Sequence, residues 1–472
     1  MNSSEICSIL LNNFSLKPTL NQIEWFRSIS NFLGSNDNDK IFLLKGYAGT
    51  GKSTLISHLV NHLDKFNYNS VLIAPTGRAA KVISSYSKKK AFTIHKQIYY
   101  PKSEKGRGVK FILKSNKIKK TLFIVDEASM ISDHRHNSKL FENGSLLNDL
   151  INYVYSGKFC FLVLVGDTAQ LPPINFEISP ALSEKELKNH YNKTVFSITL
   201  TEVVRQLSNS GILFNASNLR DFISKNVFNN FSFKINNFND IHKINDGEEL
   251  LDTLDYSLNK FDIDEVVVIV RSNKRANLYN QNIRNRILFR ESSLSIGDQL
   301  MVVKNNYFWI KPESQAGFIA NGDIIIVESI IKINEFYGFK FAKIEAKLID
   351  YPEMNTFETV ILTDTLTSNF SSLTFEESQS LYKSVQDDYK DEKSSFKKFL
   401  KVKNNPYFNA LQVKYSYSIT CHKSQGGQWD KVFVEYPYLP DGPNKDFFRW
   451  LYTAITRAKK DLYLIGFPKE YF

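Results

Sequence analysis

The sequence predicts an α/β chain built on two parallel sheets, with a small antiparallel barrel set into the second, and three observations carry that prediction. First, short β-branched or aromatic runs at residues 41–45, 71–74, 121–125 and 159–165 are separated by helix-length segments, the rhythm of parallel βαβ units. Second, the same kind of buried-strand run returns at 265–270, 417–420, 431–435 and 461–465. Third, residues 297–365 change character to alternating strands broken by glycine turns such as Ala320-Asn321-Gly322-Asp323. Residues 375–400 then lose β-branched density and carry mixed charges at helical spacing, which predicts a solvated helical arm. The Asn- and Phe-rich stretch 226–245 reads as a loop-rich connector.

Composition excludes several classes of protein. At 42% hydrophobic and 23% charged residues, the 472-residue chain is far from the balance of a disordered one. It is long enough for about three domain-sized units. A formal net charge of +11 favours an anionic partner. The longest apolar run, 159–165, falls well short of the roughly 20 residues a membrane-spanning helix needs, so no membrane partner is expected. The polar start with Glu5 does not resemble an export signal, and a cytoplasmic location is expected. Cys7, Cys160 and Cys421 are too few and too scattered for a disulfide framework or a metal knuckle, and all three read as reduced, with Cys160 in a core.

The strongest motif is Gly46-Tyr47-Ala48-Gly49-Thr50-Gly51-Lys52-Ser53, which matches GxxxxGK[ST] between a strand and a helix. Glycines there let backbone N–H groups wrap a β-phosphate at a helix N-terminus, Lys52 reaches the β and γ oxygens, and the Ser53 hydroxyl coordinates magnesium. At the end of the run 121–125 stand Asp126 and Glu127, a pair suited to holding magnesium and orienting an attacking water. Adjacent strand residues point opposite ways, which suits separate roles. Alone the pair is no more than an acidic strand end, but beside the loop at Lys52 it makes a nucleoside triphosphatase site. The next strand ends in Val165-Gly166-Asp167-Thr168-Ala169-Gln170-Leu171-Pro172-Pro173, where Gln170 is either part of a bland turn or a γ-phosphate sensor at the sheet's carboxyl edge. Arg205 and Arg457 are single arginines whose meaning depends on position.

In order along the chain stand Gln22 after Pro18-Thr19-Leu20, the loop at Lys52, Ala74-Pro75-Thr76-Gly77-Arg78-Ala79-Ala80, Asp126-Glu127-Ala128, Gly166-Asp167 to Pro173, Arg205-Gln206, Thr420-Cys421-His422-Lys423-Ser424-Gln425-Gly426, and Arg457. This set resembles a superfamily 1 DNA helicase, and within it the RecD and Dda-like branch. The resemblance runs from Gln22 to Arg457 and is weakest between 375 and 405.

The resemblance implies two RecA-like parallel-sheet domains, with a short basic hairpin inserted in the first and an SH3-like β-barrel plus helical arm inserted in the second. The expected boundaries are 1–195 for the ATP-binding domain with its hairpin at 97–120, 196–296 and 411–472 for the two parts of the second, and 297–410 for the barrel and arm. It assigns ATP and Mg2+ to the loop from Gly46 to Ser53 with the following Thr54, to Ser53 and Asp126 for the metal, and to Gln22 for the adenine edge. Gln170 would meet the γ-phosphate, with Arg205 and Arg457 as arginine fingers. Thr76, Arg78, His95, Ser272, Asn273, Thr420, His422 and Lys423 would grip single-stranded DNA, although His95 and His422 read equally well as structural histidines.

Residues 101–120 carry eight basic side chains against the single acid Glu104, a net of +7. The interval reads as a hairpin around 103–108 that is either a solvated basic loop or the strand-separating pin the family places here. The expectation is therefore a helicase working as a monomer on single-stranded DNA and on single-strand/duplex junctions, with 5′-to-3′ polarity implied by the branch. The alternatives are a translocase that does not unwind and a nucleic-acid-binding scaffold with an ATP switch.

Overall fold

The computed structural model describes residues 1–104, 108–133, 145–204, 209–260, 263–311 and 313–472. Two N-terminal helices, α1 (Ser3–Asn12) and α2 (Leu20–Gly34), lead into strand β1 (Lys40–Gly46). The α2 start is written in a capping box, in which Thr19 and Gln22 satisfy each other's backbone N–H groups. Its apolar stripe, Trp25, Phe26, Ile29 and Phe32, packs into the core.

Next come α3 (Lys52–Val60), β2 (Asn69–Ala74), α4 (Gly77–Ser87), β3 (Ala91–Thr93), α5 (Ile94–Ile98), β4 (Tyr99–Glu104), β5 (Gly108–Leu113), β6 (Lys119–Val125), α6 (Leu146–Tyr155), β7 (Lys158–Gly166), α7 (Glu184–Asn189) and β8 (Thr194–Leu200). The first sheet has the order β3-β2-β6-β7-β1-β8, with every pair parallel. Helices cover both faces, so β1 and β7 are continuous apolar runs with no alternation.

The second half begins with α8 (Gly211–Lys225), β9 (Ile241–Ile244), α9 (Gly247–Lys260), β10 (Val266–Val270) and α10 (Asn273–Asn282). A closed barrel follows from β11 (Gln299–Val302), β12 (Ile324–Phe336), β13 (Phe339–Leu348), β14 (Phe357–Leu362) and, after α11 (Phe375–Asp387) and α12 (Ser395–Lys403), β15 (Leu411–Tyr415). The chain returns through β16 (Ser418–Thr420), α13 (Cys421–Ser424), β17 (Trp429–Glu435), α14 (Lys445–Ile455) and β18 (Ala458–Ile465). These complete a second parallel sheet of order β16-β10-β17-β18-β9. The architecture is thus two RecA-like parallel sheets with a barrel inserted in the second.

Several expectations need correction. The first sheet has two further strands, β3 and β8, and β8 pairs with β1 as far as Leu200, past the expected boundary at 195. The stretch 226–245 is not wholly connector, because Ile241–Ile244 forms the edge strand beside β18. So short a strand has too few residues to show periodicity. The barrel closes only when β15 returns to pair with β11 and β14, which carries it to Tyr415.

The arm is not a solvated one. Leu381, Val385 and Val402 on one face of its two helices are buried against Phe341, Val360 and Leu362 of the barrel. Mixed charges on the outer faces concealed that stripe.

The basic interval does form an antiparallel hairpin, with Tyr99 opposite Leu113 and Glu104 opposite Gly108. Residues 105–107 at its tip, Lys105 and Arg107 included, lie outside the described residues. Cys160 and Cys421 are buried, Cys7 is half-buried, and all three are free thiols. Among the described residues, no helix is long and apolar enough to cross a membrane.

Candidate nucleotide cleft and strand channel

The loop after β1 turns sharply because Gly49 and Gly51 adopt φ of +74° and +85°. A Cβ on Gly51 would lie 2.6 Å from Gln22 Nε2. Gln22 donates from that atom to the Thr50 carbonyl oxygen at 3.2 Å. Its Oε1 accepts the Thr19 N–H at 3.1 Å, so the side chain holds the loop as well as the helix start. Lys52 Nζ donates to the carbonyl oxygens of Gly46 and Tyr47 at 2.6 and 2.9 Å, curled over its own loop at the head of α3.

Asp126 and Glu127 fall just past the end of β6. Glu127 takes a left-handed backbone with φ +53°, so the strand alternation expected to separate the two carboxylates does not apply. A turn orients them instead, and a non-glycine residue in this conformation is a strained position of the kind found at functional sites. Asp126 Oδ1 accepts the Glu127 N–H at 2.9 Å. Its Oδ2 accepts the Tyr86 hydroxyl at 2.7 Å. Burial raises the pKa of both carboxyls. For Glu127 the guanidinium of Arg457 is the largest opposing influence, followed on the same side by Lys52.

The opposite wall comes from α14, which is buried on every side from Phe447 to Ile455. Arg457, just beyond it, places Nη1 3.9 Å from Glu127 Oε1. Its own donors are anchored on the carbonyl oxygens of Thr453 and Gly427 at 2.9 and 3.3 Å. Tyr452 donates to Asp167 Oδ2 at 2.6 Å and accepts the Ala48 N–H at 2.9 Å. Thr453 Oγ1 accepts the Leu171 N–H, and Gln425 Nε2 donates to the Leu171 carbonyl oxygen, each at 2.8 Å.

Lys52, Glu127 and Arg457 therefore share one crevice between the sheets. Gln170 is buried, with Oε1 lacking a hydrogen-bond partner among the described residues. Arg205 lies outside the described residues, although the adjacent Val204 N–H reaches the Gly49 carbonyl oxygen at 3.1 Å.

A divalent cation suits this donor set. The Asp126 carboxylate accepts the Tyr86 hydroxyl, and the Ser53 side chain lies close to that same phenol, so the two oxygen donors are near one another. No cluster of three or more His, Cys, Asp or Glu occurs among the described residues.

A separate cavity of about 1160 Å³ runs between the first sheet, the barrel, the arm and α13. Thr76, His95, His422 and Lys423 line it, as do Lys304, Tyr307, Phe308, Tyr382 and Lys403. Thr76 caps α4 through the Ala79 N–H. The Arg78 guanidinium lies 3.9 Å over the Trp429 ring, so its face is covered by the second half of the chain. Burial pushes the His95 imidazole down to about 4 and the Lys423 ammonium down to about 8, and it lowers Lys304 and Lys403. Desolvation weakens the charged form of these lysines, and a neighbouring anion would favour it. Thr420, at the end of β16, lies level with the end of β10, where Val270 pairs with it. Ser272, exposed, and Asn273 continue from that edge as the cap and start of α10, outside the lining of the cavity.

Sequence reasoning missed Tyr452, Thr453, Gln425, Trp429, the lysines of the barrel and arm, and Tyr86. The first three stand within or beside quoted motifs and were overshadowed by their charged neighbours. Trp429, Lys304, Lys403 and Tyr86 carry no local signal.

A family model described as an AAA domain matches residues 33–175, and one described as a UvrD-like helicase C-terminal domain matches residues 415–465. Uncharacterized protein R530 of Acanthamoeba polyphaga mimivirus is 27% identical over 91% of this chain and 96% of its own length. The ATP-dependent DNA helicase dda of Enterobacteria phage T4 is 24% identical over 89% of this chain and 93% of its own. Among solved structures, a Bacteroides Pif1 helicase in complex with ADP-AlF3 and ssDNA covers 97% of this chain and 94% of its own, at 16% identity and a TM-score of 0.47.

Proposed function

We propose that this chain, which belongs to the superfamily 1 helicases of the RecD and Dda type, spends ATP to move 5′ to 3′ along single-stranded DNA and to part duplex ahead of it. The observation that carries the reading is the placement of Arg457 3.9 Å from Glu127, whose charge also feels Lys52. Groups from both sheets converge on one carboxylate.

In this reading the loop from Gly46 to Thr54 cradles the phosphates, Lys52 uncurls from the Gly46 and Tyr47 carbonyls to meet the β and γ oxygens, and Gln22 faces the adenine. Ser53 and Asp126 hold Mg2+, which when bound neutralises the phosphate charge. Glu127 orients the attacking water and takes up its proton, a role its raised pKa favours. Arg457, with Arg205, brings positive charge to the γ-phosphate in the transition state, and Gln170 registers whether that phosphate is present.

Because Arg457 and Tyr452 belong to one sheet and Glu127 and Asp167 to the other, hydrolysis is tied to closure of the cleft. The cavity bordered by Thr76, His95, His422 and Lys423 holds the strand by its phosphates and sugars, without choice of sequence. Thr420, Ser272 and Asn273 extend the grip along the second sheet's edge, and Arg78 joins the two halves behind it. Alternation between the two grips as the cleft opens and closes makes the motion directional.

Steady-state ATPase with and without oligo(dT), for the parent and Lys52→Ala, tests the motor. Strong stimulation in the parent and almost none in the variant is expected, and turnover indifferent to DNA would instead mark a nucleotide switch. Duplexes with a single 5′ or 3′ tail test the direction. Unwinding from the 5′ tail is expected, unwinding only from the 3′ tail reverses the polarity, and ATPase without strand separation makes the protein a translocase.

A further inference from the structure

Tyr86 has no part in the chemistry above, yet its hydroxyl sits at the centre of the metal-holding pair. It lies near the end of α4, half-buried against the core that packs β1 and α3. The phenol donates to Asp126 Oδ2 at 2.7 Å, and the Ser53 side chain lies close enough to lower its pKa against the larger rise that burial causes. Asp126 Oδ1 is held separately by the Glu127 N–H at 2.9 Å. Each carboxylate oxygen thus has one fixed donor, and the plane of the group is set from two directions.

Tyr86 is itself anchored, since Ser57 Oγ on α3 donates to its carbonyl oxygen at 2.9 Å. Ser57 and Ser53 are one helical turn apart, so the helix that carries Ser53 also bonds the backbone at Tyr86.

We propose that Tyr86 is a positioning residue for the divalent cation, its hydroxyl holding the Asp126 carboxylate in the orientation that faces Ser53. The inference rests on the reading of Ser53 and Asp126 as the metal-holding pair. A phenol that merely filled space would need no hydroxyl there. Groups that orient a metal ligand characteristically set its affinity by about tenfold or more.

The test compares the full chain with Tyr86→Phe and with Ser57→Ala, which loosens the same turn but keeps the phenol. Mn2+ binding to the ADP complex is followed by electron paramagnetic resonance, and ATPase is titrated with Mg2+. Tyr86→Phe is expected to bind Mn2+ about tenfold more weakly. Its metal-free ADP affinity should stay that of the parent, with kcat recovered at high Mg2+. Ser57→Ala should keep the parent's Mn2+ affinity.

Parental Mn2+ affinity in Tyr86→Phe overturns the proposal. So does an equal loss of metal-free ADP binding, or a Ser57→Ala defect as large as that of Tyr86→Phe, since each assigns Tyr86 to packing alone. A parent ADP complex that takes up no Mn2+ overturns the reading of Ser53 and Asp126 itself, and this proposal with it.

Discussion

The Tyr452 hydroxyl spans the two sheets, donating to Asp167 Oδ2 at 2.6 Å while accepting the N–H of Ala48 in the nucleotide loop at 2.9 Å. One buried oxygen therefore ties the second half of the chain both to the phosphate-binding loop and to the end of β7. Burial, followed by the charge of Asp167, drives the phenol's pKa well above its ordinary value, so the tie persists throughout the physiological range.

Tyr452→Phe removes both bonds and leaves Asp167 with only the Ala169 N–H at 2.9 Å. A hydrogen bond to a charged group contributes about 1.5–3 kcal/mol, so unfolding in urea should show a loss of about 2 kcal/mol. DNA-stimulated ATPase should fall further than unstimulated ATPase, because the tie acts when the cleft is closed. A variant matching the parent in both measurements would show that the bridge contributes nothing.

Arg457→Lys keeps a positive charge near Glu127 but cannot reproduce the planar fork that reaches Thr453, Gly427 and Thr456 together. Hydrolysis in single turnover should drop about a thousandfold, the scale of an arginine finger, with fluorescent-ATP affinity changed by much less. A rate within tenfold of the parent would remove Arg457 from the reaction.

DNA affinity should depend on pH with a defined sign. Burial holds the Lys423 ammonium at about 8, and burial followed by the Lys423 charge holds Lys414 beside it at about 8. A phosphate in the channel favours the protonated form, so oligo(dT) binding should be level below pH 7 and weaken by about tenfold by pH 9. Lys423→Arg should flatten the curve. Folding responds in the opposite sense: the unfolded lysine keeps its proton to about pH 10.4, so the folded chain gains stability as pH rises from 8 toward that value. Fluorescence anisotropy across the pH range reads the first effect, and an anisotropy curve unchanged by Lys423→Arg would assign the dependence elsewhere.

Gly77, at the start of α4, faces a buried carboxylate of the barrel. A Cβ there would lie 2.2 Å from Asp323 Oδ1. Burial and the charge of Asp350 push the Asp323 carboxyl up to about 8, and its Oδ1 has no hydrogen-bond partner. Gly77→Ala should cost about 1–3 kcal/mol through overpacking. Gly77→Ala combined with Asp323→Ala should recover part of that loss, a coupling readable in a double-mutant cycle by urea unfolding. Strictly additive effects would place the two residues out of contact.

Much of this protein was legible from local pattern. The turn before Lys52 was, because Gly49 and Gly51 between an apolar run and a helical segment mark a sharp loop from strand to helix. The two parallel sheets were, because strands covered on both faces become short apolar runs. The roles proposed for Gln22 and for the DNA-gripping residues entered only through resemblance, since nothing within a few residues of them dictates a partner, whereas Gln170 drew notice from its place at the carboxyl edge of the sheet.

Tertiary structure decided what depends on surfaces meeting across long stretches of chain. It brought Arg457 to Glu127, set Tyr452 between Ala48 and Asp167, laid Arg78 on Trp429, and turned a charged arm into a packed flank of the barrel. It also replaced strand alternation at Asp126 and Glu127 with a left-handed turn and put the Tyr86 hydroxyl against Asp126. Sequence periodicity reports which face of an element is buried, but the identity of the group lying against that face comes only from the packing of distant segments.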